Sequence, residues 1–546
     1  MPDLAQNQPF AFTCEGGLVK NASTFIMQPG QALELLNFEP DIRGGYRRIN
    51  GFRRQINHIV PQTSASSEKV LMVAFFNNNI LAARGEKIFS SASTELSLKI
   101  LQATGMTGSG TITVDSTSGF SSSGTLQINS EIFTYTGKTS TTFTGVTRAT
   151  SSTSAAAHAV DDAVSESWTE RDTGRTNASK YTFERFNFDG NDKIIVTDGT
   201  NDPTVFNTSL AATDVTESSV EGAKFVTAFK SHMFYAGMSS TPQELVFSQP
   251  FDEDAFNTGS GAGSIKVDDT IVGLKAFRGD LFVFCENRIF KLSGTSSSDF
   301  AITPVTRNIG CVNGDTIQEF AGDLIFLGPD GLRTVAGTAR IGDVELGTIS
   351  ANVQSIFDDN LVDSALFESI VIPDKTQYRI FFSKTGTSED STKGVICVMK
   401  GQNFEFSELR GIKPSATDTF VEEGNVLVLH GGFDGYVYRQ EKGNDFDGTK
   451  VSGRYRSPDL TFGDPGIRKH MQRVILNYEP ESAINADMFV RYDYEDKNSA
   501  RPAAYPLDST DVVAIYGTSV YGTPTYGGTS QPLVRQPVEG SGFAVA

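Results

Sequence analysis

The feature that most constrains this chain is a recurrence. Apolar and β-branched runs of four to seven residues, closed by Gly, Asn or Asp turns, return throughout its middle. The clearest are KVLMVAFFNNNILAARGEKIF (69–89), NDKIIVTDGTNDPTVFN (191–207), HMFYAGMSSTPQELVFS (232–248) and IVGLKAFRGDLFVFCENRIFKLSG (271–294). GDLIFLGPDGLRTVAG (322–337), QYRIFFSKTGTSEDSTKGVICVM (377–399) and GNVLVLHGGFDGYVYR (424–439) follow. Turns near Gly199, Gly237, Glu286, Asp330, Gly386 and Gly432 lie 38, 49, 44, 56 and 46 residues apart. That interval suits one four-stranded propeller blade of about 40–50 residues. A single blade cannot bury both faces of its sheet, so blades stack around an axis and the ring closes when the last sheet borrows a strand. The expectation is an all-β chain with a β-propeller of five to seven blades, six preferred, over about 30–455, closed by the hairpin at 69–89. Two β-sandwiches are the alternative, and their tighter strand spacing of about 8–12 residues fits the interval less well.

Composition supports this class. Forty Phe and 15 Tyr stand beside a single Trp, Trp168, a usage that favours pleated surfaces. With 38% hydrophobic residues and 52 Gly, wholesale disorder is excluded. Lys plus Arg is 46 against 65 for Asp plus Glu, a net charge of −19, which argues against a partner held through broad phosphate neutralisation. No stable nucleic-acid binding is expected. The start lacks the basic and apolar regions of a secretory signal, and no run approaches the ~18 apolar residues of a membrane span. A soluble protein made in the cytoplasm, without a membrane segment, is the expectation.

Texture divides the chain into four parts: 1–102 as the N-terminal segment and first propeller strands, 103–166 as an insert, 167–455 as the remaining blades, and 456–546 as a C-terminal β domain. The insert is crowded with Ser, Thr and Gly and nearly free of charge, yet TLQINSEIFTYTG and TTFTGVTR alternate cleanly. A small β module results, serving either as a docking surface or as a neutral loop elaboration. Helix is scarce; SANVQSIFDDN is the best candidate, with Ser350 as cap and Val353, Ile356 and Phe357 on one face. In the C-terminal part, HMQRVILNYEP and ADMFVRYDYED read as strands, and the Tyr/Gly-rich run from Tyr516 to Gly528 reads as an extended segment lying on another chain or surface.

No catalytic or cofactor motif announces itself. His58, His158, His232, His430 and His470 are far apart and outside metal-binding spacings, and Cys14, Cys285, Cys311 and Cys397 lack the spacing of a zinc knuckle or redox pair. P-loop, dinucleotide and nucleophile-elbow patterns are missing. No cofactor, metal or enzymatic activity is expected. The carboxylate clusters Asp252, Glu253 and Asp254, Asp268 and Asp269, and Asp358 and Asp359 are the candidates for an acidic channel or interface. Asp445 to Gly448 resembles the start of a calcium loop but lacks its third oxygen-bearing position and closing Glu. One basic segment, DIRGGYRRINGFRRQ, carries Arg43, Arg47, Arg48, Arg53 and Arg54 with Tyr46 and Phe52 interleaved. Arginine with aromatics can read nucleic acid, but the planar guanidinium also pairs bidentately with carboxylates, which abound here; a subunit interface is the expected role.

In order and wording the chain resembles the tail hub, or nozzle, proteins of short-tailed bacteriophages. The resemblance rests on PGQALELLNFEPDIRGGYRRINGFRR near the start, on SHMFYAGMSSTPQELVFSQPFDEDAFN, on IVGLKAFRGDLFVFCENRIFKLSG and on TRNIGCVNGDTIQEFAGDLIFLGPDGLRTVAG. TISANVQSIFDDN occupies the place of the family's short helix, and GTLQINSEIFTYTGKTSTTFTGVTR is similar to a small β unit found within many phage structural proteins. It covers the propeller and is weaker over the C-terminal domain. What it implies is a virion protein: a subunit of a sixfold ring at the distal end of the tail, bound to adaptor proteins above and to fibres or spikes, through which double-stranded DNA passes. It carries over no catalytic residue. Two other classes stay open: a receptor-binding adhesin using the Ser/Thr-rich insert, and a propeller glycosidase acting on host-surface polysaccharide. The latter lacks the S-x-D-x-G-x-x-W boxes and Trp platforms of sugar-cleaving propellers. The WD and kelch signatures of eukaryotic scaffolds are missing as well.

Overall fold

Strands such as Met72–Phe76 are buried along their whole length rather than on alternate residues, which requires apolar neighbours on both faces of the sheet. A computed structural model shows how that requirement is met. It describes residues 9–56, 58–61, 69–92, 99–100, 110–118, 120, 122–129, 131–150, 153–176, 180–336, 348–362, 364–384, 392–401, 403–422, 424–478, 485–496, 498, 501–507 and 533–546. Two units result: a terminal unit of 1–35, 43–46 and 454–546, and a propeller unit of 36–42 and 47–453.

The propeller unit has seven blades, all antiparallel meanders. Blade 1 is Met72–Phe76, Asn79–Arg84 and Lys87–Ala92, completed beyond the insert by Thr169–Asp172. Blade 2 runs from Thr182–Phe188 to Ala212–Asp214, blade 3 from Phe225–Phe229 to Gly263–Lys266, and blade 4 from Ile271–Phe277 to Ala301–Thr306, each with four strands. Among the described residues blade 5 has three strands, Gln318–Phe320, Asp323–Gly328 and Gly331–Thr334, and Arg333 makes an isolated bridge to Thr348. Blade 6 runs from Ser364–Ile372 to Asn403–Leu409, and Leu36 joins its outer edge parallel to Glu408. Blade 7 is Pro414–Glu422, Asn425–Gly432 and Val437–Gln440. Innermost strands touch at six of the seven junctions, the turn Gly314–Thr316 makes the junction between blades 4 and 5, and the innermost strand of blade 7 packs on that of blade 1, so the torus is closed.

Alternate residues of each strand face opposite neighbours. Val73 and Phe75 pack with Ala416 and Leu429 of blade 7, while Met72, Ala74 and Phe76 pack with Ile194, Val196 and Phe206 of blade 2. Similar clusters join blades 2 and 3, 3 and 4, 4 and 5, and 6 and 7. Every interior sheet therefore buries both faces, and each fully buried Phe or Leu adds roughly 1.5–3 kcal/mol.

Two expectations are corrected. The preferred count of six becomes seven, because the hairpin at 69–89 is not a closing partner but the body of a complete blade. The closing strand is Phe52–Arg54, antiparallel to Val437–Gln440, and it is covered on its other edge by Asp445–Phe446, parallel to Phe52, and Thr449–Lys450. Gly51 is required there: a Cβ would meet the Asp445 carbonyl oxygen at 1.8 Å. Phe52 stacks on Phe446 at 5.1 Å and meets His430 and Tyr438 edge-on at 5.1 and 5.0 Å, so one aromatic side chain anchors the clasp.

The insert folds as two small sheets, Glu131–Tyr135, Gly124–Ile128, Ala163–Glu166 and Lys99–Ile100 in one, Gly137–Lys138, Thr142–Val146 and Gly110–Thr113 in the other. It has its own core, including Leu126, Ile128, Phe133, Tyr135 and Phe143. The helix spans Gln354–Leu361, and Ser350 does not cap it; its hydroxyl instead accepts the Leu332 amide at 3.1 Å. In the terminal unit, Arg473–Asn477 pairs with Leu533–Pro537 and Asp487–Met488 with Tyr505–Pro506 around Val490, Tyr492, Val538 and Val545. The run from Tyr516 to Gly528 lies outside the described residues.

Candidate functional site

All seven blades contribute residues to one axial cavity of about 280 Å³. The side chains that matter are charged residues set within otherwise apolar inner strands: Glu184 and Arg185 in blade 2, Lys275 in blade 4, Glu368 in blade 6 and Asp418 in blade 7, with Lys180 and Asp315 just ahead of their strands. They reach the cavity from the innermost strands and from the turns that lead into them, while apolar neighbours such as Val73, Ile370 and Ala416 enter the cores between blades.

Most of these charges are matched internally. Lys180 donates to Glu368 Oε1 and lies 3.0 Å from Asp315 Oδ2. Arg185 pairs with Asp418, donates from Nε to the Phe75 carbonyl at 2.6 Å, and lies between the rings of Phe183 and Phe420 at 5.0 and 5.1 Å. Asp418 Oδ2 also accepts the Phe75 amide at 2.7 Å, tying blades 7, 1 and 2 together. Gln318 Nε2 donates to Ser369 Oγ at 3.2 Å, and that hydroxyl donates to the Asp315 carbonyl at 2.6 Å, which ties blades 5 and 6. Burial, reinforced by the charge of Asp315, pushes the Glu368 carboxyl up to about 7 against the pull of Lys180. Lys180 is itself buried, but its two carboxylates outweigh that and hold the ammonium charged. Burial also raises Glu184 against the opposing charges of Lys275 and Arg185; its carboxylate lies 3.4 Å from the Ala228 amide and 3.5 Å from the Thr227 hydroxyl.

A second buried network fastens the N-terminal strand segment to blades 6 and 7. Glu39 accepts from Lys375 at 2.6 Å, from Gln377 at 3.1 Å and from Arg379 at 3.3 Å. Arg379, fully buried, also donates to Glu441 at 2.7 Å and to Gln440 at 3.1 Å, and Asn50 donates to Glu441 at 3.0 Å.

The basic segment is distributed differently from a single patch. Arg43 belongs to the terminal unit, and Arg47 and Arg48 end the short strand Tyr46–Arg48. Arg53 makes a bidentate pair with Asp445, one arm at 2.9 Å, and Arg54 pairs with Asp447 at 3.0 Å with its guanidinium 4.0 Å from the Tyr436 ring centroid. Thus two of the five arginines are engaged within their own chain at the clasp, and the Asp445 turn holds Arg53 and the Gly448 amide. None of the seven acidic candidates lines the axial cavity. Asp252, Glu253 and Asp254 sit in the loop before the outer strand of blade 3, where Glu253 is buried on Lys193 and a hydrogen bond that the Asp254 carboxyl donates to Asp252 raises Asp254. Asp268 pairs with Arg288, Asp269 accepts the Asn287 amide at 2.7 Å, and Asp358 and Asp359 are exposed on the helix. Cys285, Cys311 and Cys397 are buried free thiols. Among the described residues no group of three or more His, Cys, Asp or Glu is arranged to hold a metal ion, and no helix is long and apolar enough to cross a membrane.

No protein-family model matches the sequence, and no curated protein matches it significantly. Among solved structures it is similar to Chaetomium thermophilum Raptor (8% identity, TM-score 0.34, 72% of this chain and 29% of that one). It is also similar to Kluyveromyces lactis Hsv2 (7%, 0.29, 62% and 98%) and to a quinoprotein alcohol dehydrogenase-like protein of Bacteroides thetaiotaomicron (10%, 0.30, 60% and 81%). At these values the likenesses add nothing to what the chain's own sheets show: a seven-bladed β-propeller.

Proposed function

We propose that this chain is a structural subunit of a phage tail hub or nozzle, a ring whose lumen lies between copies and not along the propeller axis. The observation that carries the second half of this reading is the axial ion-pair network. A cavity of about 280 Å³ is at the lower edge of small-ligand sites and cannot pass a duplex. The ion pairs that cross it join one blade to another, as expected of a rigid wall element. The sequence resemblance supports the tail assignment. The net charge of −19 suits a conduit, because a wall sharing the sign of DNA gains nothing from counterion release and does not retain its cargo. Adaptor proteins and fibres or spikes are the partners this reading implies.

One observation favours the glycosidase alternative: four carboxylates converge on the axis, and Glu368 sits near the value of a general acid. Three of the four, however, are engaged with Lys180 or Arg185, leaving Glu184 without the second available carboxylate that sugar hydrolysis needs. Negative-stain microscopy of the purified full chain, alone and on particles, tests the proposal. Closed rings with a central lumen, and labelling at the distal tail, are expected; isolated propellers at every concentration together with release of reducing ends from envelope polysaccharide would overturn it.

A further inference from the structure

Two charged side chains of the axial cavity stand outside its internal pairing. Of the seven charged residues that line it, Lys180 is held by Glu368 and Asp315, and Arg185 by Asp418. Glu184 and Lys275 remain, and they are of opposite sign. Among the described residues neither makes an ion pair, with the other or with a third group, and the Lys275 ammonium makes no hydrogen bond. They share one space. Both line the cavity from innermost strands, of blades 2 and 4, and Thr227 on the innermost strand of blade 3 places its hydroxyl 3.5 Å from the Glu184 carboxylate. Burial raises Glu184, and of the charges that oppose it Lys275 acts more strongly than Arg185, its neighbour in sequence. Both side chains are partly exposed, so solvent reaches them.

The chemistry of an occupant follows from these two groups. A simple anion on Lys275 would meet the Glu184 carboxylate, and a simple cation on Glu184 would meet the Lys275 ammonium; each like-charge contact is costly where solvent screens poorly. A molecule that carries one charge of each sign on neighbouring atoms suits both. A primary ammonium has three N–H donors for the two Glu184 oxygens and the Thr227 hydroxyl, whereas a quaternary one has none. The cavity of about 280 Å³ has room for a molecule of roughly ten non-hydrogen atoms at about 30 Å³ apiece. Its lining rings, Tyr181, Phe183 and Phe225, already have Arg175, Arg185 and Lys224 over them at 5.8, 5.0 and 5.3 Å, so a sugar or base that recognises a site by stacking is poorly served.

We infer that the axial cavity binds a free α-amino acid, its carboxylate on Lys275 and its ammonium on Glu184 beside the Thr227 hydroxyl. The closed pairs on Lys180 and Arg185 fix the blades that present these groups, so the site is preorganised. The inference goes beyond the ring proposed above and does not depend on it, since every lining residue belongs to one propeller unit.

The test is equilibrium dialysis of the purified full chain at about 0.3 mM against the twenty free amino acids at about 0.1 mM each, read by mass spectrometry; a Kd of about 1 mM retains roughly a fifth of a ligand. Calorimetry then compares the amino acid retained with its N-acetyl derivative and its methyl ester, each of which lacks one charge. The expected result is at least one amino acid bound at about 1 mM or tighter, with both derivatives at least tenfold weaker. Glu184→Gln and Lys275→Met should each weaken binding at least tenfold, and circular dichroism checks that both variants melt like wild type. Retention of no amino acid, derivatives that bind as well as the free molecule, or unchanged affinity in either folded variant overturns the inference. Should a variant misfold, the two derivatives on wild type decide alone. Each of these outcomes leaves the ring, which microscopy reads, unaffected.

Discussion

Glu368 offers the sharpest check on the axial network. Thr417 has one hydroxyl proton, and its 2.7 Å contact to the Ser369 carbonyl uses it. The 3.3 Å contact between that hydroxyl and Glu368 Oε2 is therefore made best when the carboxyl is protonated and donates. Geometry and burial thus agree: Glu368 titrates at about 7 in the folded chain against an ordinary 4.5. A carboxyl raised in this way binds a proton in the folded state that the unfolded state has lost. Its contribution is complete below about 4.5 and disappears as the pH rises through about 7, a difference of about 3 kcal/mol. Glu368→Gln mimics the protonated form, accepting from Lys180 and donating to Thr417 at every pH. The variant should exceed wild type by no more than about 1 kcal/mol at pH 5 and by about 3 kcal/mol at pH 8.5. Urea unfolding followed by the fluorescence of Trp168, the chain's single Trp and buried in the core between blades 7 and 1, reports the propeller directly. Only the difference between the two chains is read, so other titrating groups cancel. A difference that does not change with pH, or one that favours wild type at high pH, would refute an uncharged Glu368.

Acid should weaken the fold for a separate reason. Burial lowers His58 to about 4 and His430 to about 3 from an ordinary 6.5, so the unfolded chain takes up protons first and stability falls as the pH drops below 6.5, by about 2 kcal/mol per histidine at pH 5. His430 stacks on Tyr438 at 5.0 Å and its Nδ1 has no hydrogen-bond partner, so His430→Phe should remove about half of that loss in the same urea assay. Gly51→Ala drives a methyl into the Asp445 carbonyl and should open the clasp; limited proteolysis is expected to cut the chain near residue 60 at least tenfold faster. Arg53→Ser and Arg54→Ser remove half-exposed pairs, 45% and 37% at the arginine, and should each cost no more than about 1 kcal/mol in the midpoint.

Blade spacing was legible because most of the turns leave Gly or Asp in the sequence, Glu286 being the exception and Gly386 lying outside the described residues, and because burial on both faces turns strands into continuous apolar runs such as LFVFC and MVAFF. The closing strand was not, since Phe52–Arg54 is three residues long, two of them charged, and its pairing partner is nearly 400 residues away. Those charges suggested a surface in contact with another subunit; within the chain Arg53 and Arg54 pair with the acidic turn that follows blade 7. The axial residues carried a readable signal that clustering obscured. Glu368 in ALFESIVI and Asp418 in SATDTF are single charges interrupting apolar strands, Glu184 and Arg185 are an adjacent pair in TFERFNF, and Arg379 in QYRIFF is the like signal for the separate network on Glu39; an unpaired charge at such positions would cost several kcal/mol. The adjacent acids Asp268 and Asp269, by contrast, sit in a partly solvated loop, and Asp358 and Asp359 are exposed on the helix.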